Sequence, residues 1–111
     1  MAETKINGNQ LHAGIVETYI NGASWYRVYS DGWIEQGGRL SLNPDGNATV
    51  TLLKSFSNTN YTITTTTYHT GTTVSGYYNA GSNWVQNITN SSFKMYEDEK
   101  TVTVLWYACG Y

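Results

Sequence analysis

The segment Trp25–Gly38, which reads WYRVYSDGWIEQGG, decides the fold because it places two strand-like stretches on either side of an Asp-Gly pair. Aromatic and β-branched residues around such a pair are a strong signal for a β-hairpin. We predict strands at 25–30 and 33–40, joined by a type I′ turn at Asp31-Gly32. The same segment holds two carboxylates, Asp31 and Glu35, so a catalytic or sugar-binding surface must be weighed against a structural role.

The rest of the chain repeats this pattern of short strands and turns. Gly or Asn-Gly punctuation recurs along it, and no segment shows helical periodicity bounded by capping residues. Short strands at this spacing favour an all-β fold, a small antiparallel β-sandwich. Further strands are predicted at 16–20, 48–53, 61–69, 92–96 and 101–108, with a turn at Asn43–Gly46 and a hairpin that joins the last two strands across Glu97–Lys100.

Length and composition limit the classes of function. A chain of 111 residues fits one domain with one core. Only 13% of the residues are charged, and the net charge of -2 leaves no basic stripe for phosphates, so nucleic acid is not an expected partner. No apolar run approaches the roughly 20 residues that cross a bilayer, so membrane insertion is not expected.

The N-terminus and the rare residue types give further expectations. The first ten residues, MAETKINGNQ, lack the apolar region of a signal peptide. Residues 1–14 are predicted to be a linker or shaft junction, and 15–111 the folded domain. Cys109 is the only cysteine, and neither His12 nor His69 has a second ligand at metal spacing, so we expect no disulfide, metal or cofactor.

Several strands have apolar residues on both faces. In the last strand Val104 and Trp106 share one face, but Leu105 and Tyr107 lie on the other. A single small sandwich cannot cover both faces of its strands, so we expect the second face to be buried against copies of the same chain.

Three phrases carry a resemblance to a known family: SDGWIEQGG, NYTI and WYACGY, in this order and spacing. They resemble the C-terminal domain of bacteriophage and prophage tail fibre proteins of the group described as gp53-like, over about residues 16–111. The resemblance implies a β-sandwich that forms a homotrimer at the tip of a virion tail fibre and is made in the host bacterial cytoplasm. It implies a bacterial surface polysaccharide or an outer-surface protein as partner, and it supplies no catalytic residues.

The carboxylates of the opening segment fit structural roles. Asp31 is expected in the turn because Asp-Gly makes the turn, and Glu35 is expected to pair with Arg27 on the facing strand. The pair Gly37-Gly38 predicts a bulge or a close backbone approach. No serine stands in a G-x-S-x-G motif, so we expect no enzyme activity. The residues interpreted as structural are Trp25, Asp31, Gly32, Trp33, Gly37, Gly38 and Trp106.

Receptor binding is predicted in the segment from His69 to Trp84. Sugars present an apolar face and a polar rim, so their sites combine an exposed aromatic ring with neutral hydrogen-bonding side chains. The alternative is that these aromatic rings pack inside the sandwich or at an interface. The region of Tyr26 ranks second as a binding site. The candidate binding residues are Tyr77, Tyr78, Asn79, Asn83 and Trp84.

Three functions stay open at this point. The domain is predicted to be a receptor-binding fibre tip, whose weak sites gain avidity from three-fold repetition. A structural cap that trimerises and ends the fibre is the alternative. A polysaccharide depolymerase ranks third, and it would need a pair of exposed carboxylates in a groove.

Overall fold

The computed structural model describes residues 14–68, 83–97 and 102–111, and the regular structure within them is β-strand throughout. The strands form two antiparallel sheets, one in the order β1-β2-β3-β8-β5 and one in the order β4-β7-β6. The all-β, antiparallel prediction is confirmed. The strands are β1 (Ile15–Asn21), β2 (Ser24–Tyr29), β3 (Ile34–Ser41), β4 (Asn47–Thr51), β5 (Thr62–Tyr68), β6 (Asn83–Gln86), β7 (Ser92–Glu97) and β8 (Thr103–Gly110).

The predicted linker, 1–14, lies outside the described residues except for Gly14. The carbonyl oxygen of Gly14 accepts a hydrogen bond from the Ser30 N–H at 2.8 Å, so this residue already belongs to the sheet edge. Among the described residues there is no helix that could span a membrane.

The hairpin of the opening segment forms as predicted, but with a different turn. The Tyr29 N–H donates to the Trp33 carbonyl at 2.8 Å, which leaves a three-residue loop, and the Gly32 N–H donates back to Tyr29 at 2.9 Å. Gly32 has a φ of 91°, whereas Asp31 has no positive φ. The type I′ prediction is therefore wrong: the loop is a type I turn followed by one left-handed glycine. The turn at Asn43–Asn47 has the same two backbone hydrogen bonds.

The predicted hairpin between the last two strands is wrong. β7 pairs with β4 and β6, whereas β8 pairs with β3 and β5, so the two strands belong to different sheets. Each strand buries one face, and the alternation of the last strand had indicated this for β8. Two such faces cover each other when they lie across the core rather than side by side in one sheet. β7 and β8 therefore lie across the core from each other.

The core lies between the two sheets. Phe93 of β7 is fully buried and packs edge-on against Trp106 of β8, with ring centroids 5.5 Å apart. Fully burying a side chain of this size contributes on the order of 1.5–3 kcal/mol of hydrophobic free energy. The buried core residues are Ile34, Leu42, Val50, Leu52, Phe56, Tyr61, Phe93, Met95, Val104, Trp106 and Ala108.

One polar side chain in the core ties a loop to the sheet. Gln36 is fully buried, and its amide nitrogen donates to the Lys54 carbonyl at 2.7 Å. Its amide oxygen accepts from the Lys54 N–H at 3.3 Å. Because both ends of the amide are satisfied, its burial carries no unpaired polar group, and the loop after β4 is fixed against β3.

The glycine pair in β3 allows two tryptophans to approach the strand from opposite sides. A Cβ on Gly37 would lie 3.2 Å from the Trp25 ring and 2.8 Å from the Trp106 carbonyl oxygen. A Cβ on Gly38 would lie 3.1 Å from Nε1 of Trp106 and 2.8 Å from Oγ of Ser24. The predicted close backbone approach is therefore present. The predicted bulge is absent here, because β3 pairs without interruption with β8.

The five-stranded sheet is wider than the sheet that covers it. β1 forms one edge of this sheet, and its exposure shows that the three-stranded sheet does not cover it. All seven residues of β1 are exposed. Among them Ile20 is 70% exposed and Val16 is 64% exposed, and Ile15 and Tyr19 are exposed as well. The exposed apolar side chains of β1 were not predicted. The strand predicted to be apolar on both faces, β8, lies between β3 and β5 in the five-stranded sheet, and on its second face Leu105 is half-buried and Tyr107 is exposed.

Candidate functional site

The predicted binding residue Trp84 lies on the outer face of the three-stranded sheet. Inward residues of these strands, such as Phe93 and Met95, fill the core, and their neighbours point outward. Register places Trp84 opposite Tyr96, and Gln86 opposite Lys94. The outward side chains of this face are Asn47, Thr49, Thr51, Trp84, Gln86, Ser92, Lys94 and Tyr96.

Three of these side chains form a continuous aromatic and cationic surface, which we call the Trp84 platform: Trp84, Tyr96 and Lys94. The Trp84 and Tyr96 rings are stacked, with centroids 5.4 Å apart and planes inclined by 4°. Nζ of Lys94 lies 5.3 Å from the centroid of the Tyr96 ring, within the range of a cation–π contact. Trp84 is 40% exposed although Tyr96 supports it.

The platform has the chemistry of a sugar-binding surface. A flat, partly exposed indole offers a π-face to the C–H face of a pyranose, and the neighbouring Asn, Thr and Gln side chains offer neutral donors and acceptors. Because Tyr96 packs along Trp84, the indole is held in one orientation before a ligand arrives. Such preorganisation lowers the entropic cost of binding.

Asn83, the predicted neighbour of Trp84, points to the opposite face of β6. Its side-chain oxygen accepts from the Thr65 hydroxyl, and its nitrogen donates to the Thr67 hydroxyl at 3.2 Å. Thr67 also donates to the buried carboxylate of Glu97. The amide of Asn83 therefore joins β6 to β5 inside the sandwich, away from the platform. The other predicted binding residues, Tyr77, Tyr78 and Asn79, lie outside the described residues.

Sequence reasoning missed Tyr96 and Lys94 as partners of Trp84. Both residues lie on the outward face of β7, and the alternation of β7 places them together on one side. What the sequence did not give was the pairing of β6 with β7. Once that pairing is known, Trp84 and Tyr96 are direct cross-strand neighbours.

Glu35 lies on the outer face of the five-stranded sheet, where two tyrosines hold its carboxylate. Tyr107 donates to Oε2 at 2.8 Å, and Tyr29 donates to Oε1. Arg27 is opposite Glu35 in register, as the hairpin predicts, but among the described residues no ion pair joins the two. The expected ion pair is thus replaced by two hydroxyl hydrogen bonds.

These tyrosines have shifted pKa values. Burial is the main cause that raises the pKa of Tyr107. The hydrogen bond to Glu35 and the negative charge of Glu35 raise this pKa further. The hydrogen bond to Glu35 is the main cause that raises the pKa of Tyr29. Both phenols therefore stay protonated above the ordinary tyrosine range and keep donating to the carboxylate.

Asp31 serves the turn rather than a groove. Its Oδ1 accepts the Trp33 N–H at 2.9 Å, an arrangement that Asp side chains commonly make in turns. Trp33 is half-buried and packs edge-on against Tyr111, with centroids 5.0 Å apart. Trp25 also contacts Tyr107, at a centroid distance of 6.3 Å.

A second charged cluster surrounds Tyr26, the region ranked second for binding. The Tyr26 hydroxyl donates to Glu17, which is the main cause that raises the pKa of Tyr26. Nζ of Lys54 lies 3.7 Å from Glu17 and 5.7 Å from the Tyr26 ring centroid. Here the Glu17 carboxylate neutralises the lysine that lies over the Tyr26 ring. Because Glu17 belongs to β1 and Lys54 to the loop after β4, the ion pair also joins these two segments.

The described residues offer no metal site. Within them no group of three or more His, Cys, Asp or Glu side chains stands close enough to hold an ion. His12 and His69 lie outside the described residues. Cys109 is a free, half-buried thiol in β8, paired in register with Glu35 and Thr62.

Solved structures of pyocin tail fibres share this fold. An N-truncated R2-type pyocin tail fibre matches with a TM-score of 0.63 and 18% identity, over 100% of this chain and 53% of that chain. A C-terminal fragment of the R2 pyocin fibre of P. aeruginosa matches with a TM-score of 0.66 and 18% identity, covering 36% of that fragment. The R1 pyocin fibre of P. aeruginosa matches with a TM-score of 0.53 and 14% identity, covering 38% of that fragment. The chain thus spans from just over a third to about half of the fibre fragments in these structures.

No curated protein matches the chain. The model of one family, described as "Putative tail fiber protein gp53-like, C-terminal", matches residues 27–111. That range holds the hairpin of the opening segment from Arg27 onward, both sheets except β1 and the first residues of β2, and the Trp84 platform. The chain belongs to the gp53-like family of tail fibre C-terminal domains.

Proposed function

We propose that this domain is the receptor-binding tip of a phage-type tail fibre and that it binds a bacterial surface glycan at the Trp84 platform. The observation that carries the proposal is an indole 40% exposed and stacked at 4° on Tyr96, among neutral hydrogen-bonding side chains. Family membership supports a place in a virion or a related particle, made in the bacterial cytoplasm. An outer-surface protein is the second class of receptor.

Adhesion to bacteria tests this proposal. The full chain, fluorescently labelled, is incubated with a panel of bacterial strains, and their isolated surface polysaccharides are arrayed for binding. Trp84→Ala and Tyr96→Ala are expected to lose most of the adhesion and to keep the far-UV circular dichroism spectrum of the parent. Tyr111→Ala is the matched control, because it also removes an exposed ring but leaves the platform intact.

Two results would redirect the proposal. If the platform variants adhere like the parent while Tyr77→Ala or Tyr78→Ala does not, binding belongs to the segment 69–82. If the parent adheres to no strain and no glycan, the alternative function, a structural cap of the fibre, is favoured instead.

We propose no catalytic role for the domain. The two carboxylates of the opening segment have structural partners: Asp31 accepts a turn N–H and Glu35 accepts two tyrosine hydroxyls. A depolymerase would shorten the glycan chains that it binds, so size-exclusion chromatography of a bound polysaccharide after overnight incubation checks this alternative. An unchanged elution volume is expected.

We also propose that the domain forms a homotrimer through the exposed edge strand β1. Four large apolar side chains of this one strand are exposed: Ile15, Val16, Tyr19 and Ile20. Burying apolar surface of this kind contributes about 25 cal/mol per Å² to association. Copies of the same chain present the same strand, and avidity from three copies strengthens weak glycan sites.

Light scattering of the purified chain tests self-association. A particle three times the chain mass of 12.4 kDa is expected. Ile20→Lys is expected to shift the mass toward the monomer, and Thr66→Lys is the control, because it adds the same charge at an exposed position on β5, the opposite edge of the sheet. A parent that stays monomeric at every concentration would contradict the trimer and leave the glycan site as a separate proposal.

A further inference from the structure

We infer that the glycan bound at the Trp84 platform is acidic and that its carboxylate or phosphate group pairs with Lys94. This inference rests on the proposed function and names the ligand class of the same site. Its basis is a lysine that lies on the aromatic platform and has no carboxylate of the described residues within 4 Å to neutralise it.

Among the described outward side chains of the platform face, one carries a charge. Of the eight outward residues on β4, β6 and β7, seven are neutral, and Lys94 is the one that carries a charge. The buried Glu97 of β7 points into the sandwich, where Thr67 donates to it. The three strands therefore present a single positive charge beside Trp84, although the whole chain has a net charge of -2.

A comparison between two lysines shows what is particular about this one. Lys54 and Lys94 each place Nζ over a tyrosine ring, at 5.7 Å from Tyr26 and 5.3 Å from Tyr96. Glu17 lies 3.7 Å from Nζ of Lys54. Among the described residues no carboxylate lies within 4 Å of Nζ of Lys94. The same Lys–Tyr arrangement is thus internally neutralised at one site and left cationic at the other.

The position of Lys94 lets one ligand use both the ring and the charge. Trp84 and Lys94 both contact the Tyr96 ring. The Trp84 ring centroid lies 5.4 Å from the Tyr96 centroid, and Nζ of Lys94 lies 5.3 Å from it. Because both groups contact this one ring, an oligosaccharide that stacks on Trp84 and continues past Tyr96 brings an acidic substituent to Lys94. The residues opposite Lys94 in the sheet, Thr49 and Gln86, add neutral hydrogen bonds to the same substituent.

The chemistry favours a charged oxygen group over a sugar hydroxyl at this position. Hydrogen bonds to ionised partners are roughly twice as strong as neutral ones, and a lysine ammonium recognises carboxylate and phosphate alike. Lys94 is half-buried against Tyr96, so its charge is less screened than that of a fully extended surface lysine. Binding is expected to weaken as salt rises, whereas stacking on Trp84 persists.

The test uses an array of isolated bacterial polysaccharides, each acidic one printed also after chemical reduction of its carboxylates and after phosphatase treatment. The full chain is expected to retain acidic glycans and to lose roughly tenfold or more in affinity for the neutralised forms. The treatment that abolishes binding identifies the group as carboxylate or phosphate. Lys94→Gln is expected to cause the same loss on the untreated glycans and to remove the salt dependence.

Lys54→Gln is the matched control, because it removes a lysine from a tyrosine ring at the neutralised site, and its binding is expected to equal that of the parent. If the retained glycans are neutral, or if Lys94→Gln binds acidic glycans like the parent, the inference is overturned while the platform stands. If Trp84→Ala leaves binding unchanged, the platform itself is wrong. A parent that retains no glycan overturns both.

Discussion

Phe93 and Trp106 meet edge to face in the centre of the sandwich, with their ring planes at 79° and their centroids 5.5 Å apart. Phe93 belongs to the three-stranded sheet and Trp106 to the five-stranded sheet. Contacts of this geometry between aromatic rings add about 0.5–1.5 kcal/mol beyond the burial of their area. The pair therefore joins the two layers within the buried core.

Phe93→Ala is expected to lower the free energy of unfolding by about 3–5 kcal/mol, because it removes a fully buried ring and leaves a cavity against Trp106. Urea denaturation followed by circular dichroism, at one fixed protein concentration, measures the loss. Trp33→Ala is the comparison: Trp33 is half-buried and packs edge-on against Tyr111, so about 1–2 kcal/mol is expected. Equal losses for the two variants would contradict this assignment of the core.

Gly37→Ala is expected to destabilise the fold by about 1–3 kcal/mol, because its Cβ would lie 2.8 Å from a backbone oxygen of Trp106 and press on Trp25. A thermal melt of the variant beside the parent measures the change. Gly14→Ala is the control, since no atom lies within 4 Å of a Cβ built there. A Gly37→Ala variant as stable as the parent would show that the Trp106 backbone and the Trp25 ring both move away without cost.

Asp31→Ala is expected to lower stability by about 0.5–1.5 kcal/mol, the net worth of one hydrogen bond to the Trp33 N–H. Asp31→Asn keeps a side-chain acceptor and is expected to stay near the parent. Chemical denaturation ranks the three proteins. Glycan binding should be the same in all of them, and a loss of binding in Asp31→Asn would return this carboxylate to the list of functional residues.

Alkaline titration tests the hydrogen bonds to Glu35. The pKa of Tyr107 is higher in the folded chain than in the unfolded one, so its contribution to stability is fully present below about pH 10 and is lost as the pH rises toward the folded pKa. Glu35→Gln removes the charge and is expected to lower the pKa of Tyr107, although burial still raises it. Tyrosinate absorbance near 295 nm follows the ionisation.

Tyr107→Phe shows which part of the alkaline titration curve belongs to the Tyr107 phenol. The variant is expected to lose a phenol that ionises late, and the remaining tyrosines should titrate as in the parent. A titration curve that Glu35→Gln leaves unchanged would show that the carboxylate does not hold the phenol in solution.

Local rules on the sequence predicted much of the fold. Alternating apolar residues located seven of the eight strands in the described residues to within a few residues, and Asp-Gly and Asn-Pro-Asp-Gly located two of the turns. The short strand β6, which carries Trp84, was not predicted. The type of the first turn was wrong because Asp-Gly is compatible with more than one loop length. Only the hydrogen bond from Tyr29 to Trp33 distinguishes a three-residue loop from a two-residue one.

Strand pairing was decided by the tertiary structure. β7 and β8 are neighbours along the chain, and each carries one clear apolar face, which is equally compatible with a hairpin and with opposite layers. The choice depends on which strands fill the remaining edges, and here β3 and β5 take both edges of β8. No local pattern carries that information.

The sequence by itself determined the all-β class, the positions of most strands, the opening hairpin and the resemblance to tail fibre domains, because these follow from residues close together in the chain. The tertiary structure alone decided the partners of the functional side chains. Glu35 meets Tyr107 across 72 positions of sequence, and Trp84 meets Tyr96 and Lys94 only because β6 pairs with β7. Such contacts arise from the packing of distant strands, and the spacing of residues along the chain does not specify them.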